Sequence, residues 1–218
     1  MKKINYHIKF PIFLCIIIGG ISTFAQNNDN GLWLSGNVKY DVLKKLDGSS
    51  GFSVRFDNNF LQYSSINFET GLEYKLIKDV EAEIGYRYST DNYKYENRLS
   101  LALKWEDKII KRTHLGIKTK YQTESVSDEY HLINTWRTKF ELTHRIKKTE
   151  VHPNIFTEWF VGLNPTEYNF NKARVGCGLD FKQFKKHSFS IRYFKNIDLK
   201  GSNRINSNIL SIDYKLKL

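Results

Sequence analysis

The side chains suited to acid–base chemistry are few and scattered. His131 follows Asp128 and Glu129 in a polar stretch, an acid beside a histidine of the kind a hydrolase uses to move protons. His114 sits among basic residues, and the pair His187-Ser188 has no orienting carboxylate near it in the chain. There is no G-x-S-x-G, no H-E-x-x-H, no phosphate-cradling glycine loop and no paired-cysteine metal motif. The residues therefore define no catalytic, cofactor or metal site. Hydrolysis of lipid or peptide is kept only as an alternative.

Charge is far more orderly. Glu73, Arg87, Arg98, Arg137, Glu158, Arg174 and Arg192 each fall on the same phase of a segment in which every second residue is polar. Successive strand side chains point to opposite faces, so these charges share one side of a sheet. Enclosed in a narrow bore they lose water, and carboxylates and guanidinium groups are expected to pair across it. The expectation is a lumen network that is either a self-satisfied brace or the lining of a polar channel.

The other phase carries the complementary pattern. Phe52, Val54 and Phe56 form one row, Leu99, Leu101, Leu103 and Trp105 another, and Leu210, Ile212, Tyr214 and Leu216 a third. No Lys, Arg, Asp or Glu interrupts such rows. An outward charge near a bilayer midplane costs ~2–4 kcal/mol for Lys or Arg, whereas a water-soluble barrel tolerates it. The segments also reach the ~9–11 residues that a tilted spanning strand needs. Aromatic residues, among them Tyr86, Tyr88, Trp105, Tyr121, Trp136 and Tyr193, are expected toward strand ends, where amphipathic rings meet an interface. The fold class is all-β: an antiparallel transmembrane barrel of ten to twelve strands, of outer-membrane type. A soluble periplasmic barrel that binds an apolar ligand is the other alternative.

The N-terminus agrees with export. Lys2, Lys3 and Lys9 precede an apolar run to Phe24, and Thr23-Phe24-Ala25 supplies a small-residue cleavage site. The run is shorter than the ~20 residues of a spanning helix, so residues 1–25 read as a cleaved signal and 26–218 as a single barrel domain. The net charge of +11 falls to +8 once those three lysines leave with the signal. For an exported chain, nucleic acid is a poor partner. Outer-membrane lipid, including lipopolysaccharide phosphates, and the barrel-insertion machinery are the expected ones. Of the two cysteines only Cys177 remains after cleavage, which excludes an intramolecular disulfide.

Connections are expected to alternate. Ile77-Lys78-Asp79, Glu106-Asp107-Lys108 and residues 183–186 read as tight turns, and 89–96, 123–131, 163–169 and 196–206 as longer polar loops. Short periplasmic turns and longer outer loops are the outer-membrane habit. Eleven candidate strands can be counted, but single-chain bacterial barrels normally have an even number. Either Phe52 to Leu76 is one bent strand, giving ten, or a piece near Asn27 to Leu34 adds a twelfth. The turn-like Asp57-Asn58-Asn59 favours twelve.

Pro153-Asn154-Ile155-Phe156-Thr157-Glu158-Trp159-Phe160, then Asn171-Lys172-Ala173-Arg174 and Gly178, resembles a recurring element of the outer-membrane barrel family called domain of unknown function 2490. Tyr86-Arg87-Tyr88, Asn97-Arg98 and the ending Asp213-Tyr214-Lys215-Leu216 look like the same pattern. The resemblance implies a barrel in the outer membrane of a Gram-negative bacterium and brings no activity with it. A pairing of Glu158 with Arg174 across neighbouring strands is expected from their shared inward phase. Barrels of this kind usually end on an aromatic residue read by the insertion machinery, and Leu218 departs from that.

Overall fold

A computed structural model describes residues 28–91, 93–127, 131–163, 168–181, 186–199 and 206–218. The proposed signal at residues 1–25 lies outside the described residues. Eleven strands account for nearly all of the described chain: β1 Asn28–Leu43, β2 Leu46–Asp57, β3 Gln62–Ile77, β4 Val80–Thr90, β5 Tyr95–Ile110, β6 Thr113–Val126, β7 Ile133–His144, β8 Val151–Leu163, β9 Tyr168–Phe181, β10 His187–Asp198 and β11 Asn206–Lys217. Each pairs antiparallel with its sequence neighbour, and β1 pairs with β11 to close the barrel.

Closure explains the odd count. In an up-and-down order of eleven strands the first and last run the same way, so their pairing must be parallel. It is, in unbroken register from Asn28↔Asn206 to Lys39↔Lys217. Eleven lies within the expected ten to twelve strands, and only the preference for twelve is corrected. In the candidate twelfth strand near Asn27 to Leu34, residues 28–34 belong to β1 and Asn27 lies outside the described residues. Phe52 to Leu76 is two strands, β2 and β3, as Asp57-Asn58-Asn59 indicates. The left-handed backbone of Asn58, Asn59 and Phe60 (φ 51°, 57° and 71°) turns the chain there. One consequence is that β1 begins at one rim while β11 ends at the other.

The turns also differ in detail. Glu106-Asp107-Lys108 lies inside β5, and the reversal comes at 111–112, where Arg112 takes a φ of 68°. At that rim 44–45, 78–79 and 111–112 are the shortest connections, but 145–150 and 182–186 are longer. At the opposite rim 58–61, 91–94, 127–132, 164–167 and 199–205 join the strands. The loops are thus shorter, and the alternation weaker, than the sequence suggests.

Polarity is inverted relative to a water-soluble protein. Phe52, Leu101 and Ile155 are 61%, 57% and 58% exposed on the outer face, with apolar neighbours around the whole ring. Buried apolar side chains are few, and Asn67, Gln122, Asn154, Glu158, Asn196 and Ser211 are buried polar ones. Most hydrophobic area is therefore left uncovered outside the sheet, and most of the charge is inside it, although Lys195 of β10 and Asp107 of β5 fall on the outward phase.

Candidate functional site

The bore is lined by a chain of hydrogen bonds and ion pairs that passes from strand to strand. From β11 inward, Ser207 Oγ accepts from Asn196 Nδ2 at 3.1 Å, and Asn196 Oδ1 accepts from Arg174 Nε at 2.9 Å. Arg174 Nη1 donates to Glu158 Oε2 at 2.9 Å. The other oxygen of Glu158 takes Arg137 Nη2 at 2.6 Å and Nε at 3.1 Å, and Arg137 Nη1 reaches Gln122 Oε1 at 3.0 Å. Gln122 Nε2 donates to Glu124, which pairs with Arg98 at 2.8 Å, and Arg98 pairs with Glu96 at 2.6 Å. Seven consecutive strands, β11 to β5, are tied by this chain. Glu158, only 7% exposed, sits at its centre between two arginines. A buried carboxylate is tolerable only with such partners.

Of the residues singled out from the sequence, Glu158, Arg174, Arg137 and Arg98 share this chain. Arg87 stands opposite Arg98 in the β4–β5 register and takes its own carboxylate, Glu69, at 2.5 Å. Glu73 and Arg192 belong to other clusters. Glu73 accepts from Lys39 at 2.5 Å near the β3–β4 turn, where Lys39 also meets Asp47 at 2.9 Å. Arg192 lies 3.3 Å from Asp180 and 3.8 Å from Glu141. Further pairs, Lys118 with Glu83 at 2.5 Å and Lys139 with Glu141 at 2.6 Å, brace the middle of the barrel.

Alternation alone does not reveal the aromatic residues on the inward phase. Trp33 and Phe156 both pack edge-on against Phe194, with ring centroids 5.3 and 6.0 Å apart, and Ile209 joins them at 2% exposure. The arginines of the chain cover these rings. Arg174 lies 4.6 Å from the Phe194 centroid and Arg137 4.6 Å from that of Phe160, so each guanidinium is held on its faces by rings and on its edges by acceptors. A signal for this was present: Phe156, Glu158 and Phe160 share one parity in the P-x-x-F-x-E-x-F segment.

Glycines open the space. A Cβ on Gly176 would overlap Phe194 and come within 2.9 Å of the Phe156 ring, and one on Gly178 would lie 2.7 Å from Arg192 Cγ. The strand that supplies Arg174 can therefore carry no side chain at its next two inward positions. The opposite wall is small as well, with Ser49, Gly51 and Ser53 on β2 and Gly71 on β3 facing inward. Cavities of about 190 and 80 Å³ lie against that wall.

The histidines do not converge. His114 lies 3.9 Å from Glu106, so its neighbourhood includes an acid as well as the basic residues evident in the sequence. His187 shares a 2.7 Å hydrogen bond with Tyr214 on the outer face. His131 is in the 127–132 connection, whose Asp128 and Glu129 lie outside the described residues. Among the described residues no cluster of three or more His, Cys, Asp or Glu side chains could hold a metal. Tyr88 and Trp136 lie toward strand ends, but Tyr86, which donates to Asn97 at 2.6 Å, and Tyr193 are mid-strand.

A closed, up-and-down β-barrel with an ionic, ring-packed interior and an apolar exterior is the class these features define. Its family follows from the sequence: the family described as a protein of unknown function (DUF2490) has a model that matches residues 30–206, and the chain belongs to that family. The matched span runs from β1 to the first residue of β11 and includes the whole Glu158 motif. No curated protein matches the chain.

Proposed function

We propose that this protein is an integral β-barrel of the outer membrane of a Gram-negative bacterium, exported through a cleaved signal, with a non-enzymatic, structural role. The observation that carries the reading is the inverted polarity: leucine, isoleucine and phenylalanine exposed all round the outer face, and carboxylates and guanidinium groups inside. Water-soluble monomers rarely expose apolar patches beyond a few hundred Å². Lipid chains are the medium in which such a face has no cost, and strands of 11–16 residues are long enough to cross them.

A braced barrel fits the interior better than an open conduit. Trp33, Phe156, Phe194 and Ile209 pack into the bore on one side, and the Arg137–Glu158–Arg174 clamp ties β7, β8 and β9 together beside them. Lipid phosphates are the partner favoured by the rims. The rim of the 44–45 turn carries Lys44, Lys45, Lys78, Lys111, Arg112, Arg145, Lys147, Lys148 and Lys186 against Asp79 and Glu150. The described connections of the other rim offer Lys94 against Asp91. A collar so basic suits phosphate-bearing head groups, lipopolysaccharide if it faces outward and phospholipid if it faces the periplasm. Insertion would depend on the barrel-assembly machinery.

Extraction of membranes with concentrated urea tests the location. The full chain is expected to stay in the pellet and to leave it only with detergent. Release into the supernatant as a folded monomer would favour the soluble ligand-binding barrel instead.

A further inference from the structure

Arg55, on β2, is a cation in the bore with no ion-pair partner among the described residues. It stacks its guanidinium 4.1 Å from the centre of the Trp33 ring, and its buried Nε has no hydrogen-bond partner. The charges nearest it include the cations Arg87, Arg98, Arg174 and Lys172 and one acid, Glu69, which Arg87 already holds at 2.5 Å. An enclosed charge without a counter-charge is costly, and a site that retains one implies that something else supplies it.

Arg55 opens into the cavity of about 190 Å³ that Trp33, Ser53, Glu69, Arg87 and Asp213 also line. Asp213 is occupied: it accepts from Ser35 and, at 3.1 Å, from Ser211, and lies 4.0 Å from Arg192. Ser53 is two residues before Arg55 on the same inward face. Its oxygen accepts from Asn67 Nδ2 at 3.2 Å, which leaves its hydroxyl proton free to donate. A liquid water occupies ~30 Å³, so the cavity has room for a small polyatomic ion together with some of its water.

We propose that this cavity is a binding site for a small oxyanion of the phosphate or carboxylate class, held by the Arg55 guanidinium and the Ser53 hydroxyl, with Arg87 alongside. A guanidinium fork matches the paired oxygens of such ions, which favours them over a spherical halide. The site is made by inward-facing residues of β1 to β4 and β11, and its existence does not depend on the medium around the barrel. It goes beyond the structural role proposed above, which needs no ligand.

The test is a titration of the purified, folded full chain with inorganic phosphate, and in a parallel arm with acetate, against sodium chloride at matched ionic strength. The readout is the midpoint of thermal unfolding. Phosphate, acetate or both are expected to raise the midpoint saturably where chloride does not. Arg55→Gln should weaken the response at least tenfold, Arg55→Lys should keep part of it, and Glu69→Gln should strengthen it severalfold by freeing Arg87. A wild-type response no greater than that to chloride would overturn the proposal, as would an Arg55→Gln response equal to wild type. If Arg55→Gln does not fold, Glu69→Gln decides, since unchanged or weaker binding there contradicts the site.

Discussion

Glu158 and Arg174 are directly paired across β8 and β9, with Arg174 Nη1 2.9 Å from Glu158 Oε2. The same carboxylate also serves Arg137 at 2.6 Å, so the two arginines depend on Glu158 more than it depends on either of them. Removing the shared partner strands two buried cations. Glu158→Gln is therefore expected to cost about 3–5 kcal/mol of stability, the range for breaking a buried pair from one side. Arg174→Gln should cost less, because Arg137 still neutralises Glu158. Urea titration of the folded barrel checks the order, and equal effects or none would reject the clamp.

The aromatic packing makes a separate prediction. Trp33, Phe156 and Phe194 occupy space that a channel would need, so the wild-type barrel is expected to pass little or no current in a planar bilayer. The double variant Trp33→Ala with Phe194→Ala should conduct, at a stability cost of about 3–5 kcal/mol for each ring removed. Steady conductance through the unaltered protein would instead favour a narrow solute conduit.

The seam can be tested by chemistry. Leu34 faces Ile212 in the parallel β1–β11 register, and neighbouring strands lie ~4.8 Å apart, within the Cα separations a disulfide bridges. Cysteines at 34 and 212, with Cys177→Ser, should oxidise to an intramolecular bond in the folded protein. Cysteines at 34 and 218 should not. Non-reducing electrophoresis reads the result, and the reverse pattern would mean a different closure.

Much of this fold can be read from the chain because a strand has period two, and the parity of one residue fixes the side of all the others. The parity of Leu101 and Lys104 is enough to place β5. Strand number is less accessible, because it depends on how β1 meets β11, a contact between segments at opposite ends of the sequence. Sequence misplaces the β5–β6 turn for a local reason. Glu106-Asp107-Lys108 is a polar run of the kind turns favour, whereas Arg112 adopts positive φ without any glycine to announce it. Within the candidate site the charges are legible and their partners only partly so. The Glu158–Arg174 pair follows from shared parity on neighbouring strands, but Arg137 reaches Glu158 diagonally, since its register partner is Phe160. The inward rings are hidden by a rule that equates the inner face with polarity.

The basic rim predicts salt-sensitive contact with phosphate lipids. Replacing Lys44, Lys45, Lys147 and Lys148 by glutamine should leave the strands intact, since these residues lie in exposed connections. Binding to anionic vesicles, compared with neutral ones, should fall, and its dependence on salt should flatten, as each surface cation contributes ~1 kcal/mol near such a surface. Equal binding by both proteins would remove the rim from the account.

Contact of the apolar outer face with lipid chains is tested most directly by one substitution. Leu101, 57% exposed on β5, is replaced by Arg, and the folding free energy is measured in lipid bilayers beside the control Leu61→Arg, in a connection where Leu61 is 87% exposed. A loss of ~2–4 kcal/mol is expected at position 101 and almost none at position 61. A change at position 101 within about 0.5 kcal/mol, as at an ordinary wet surface, would contradict it.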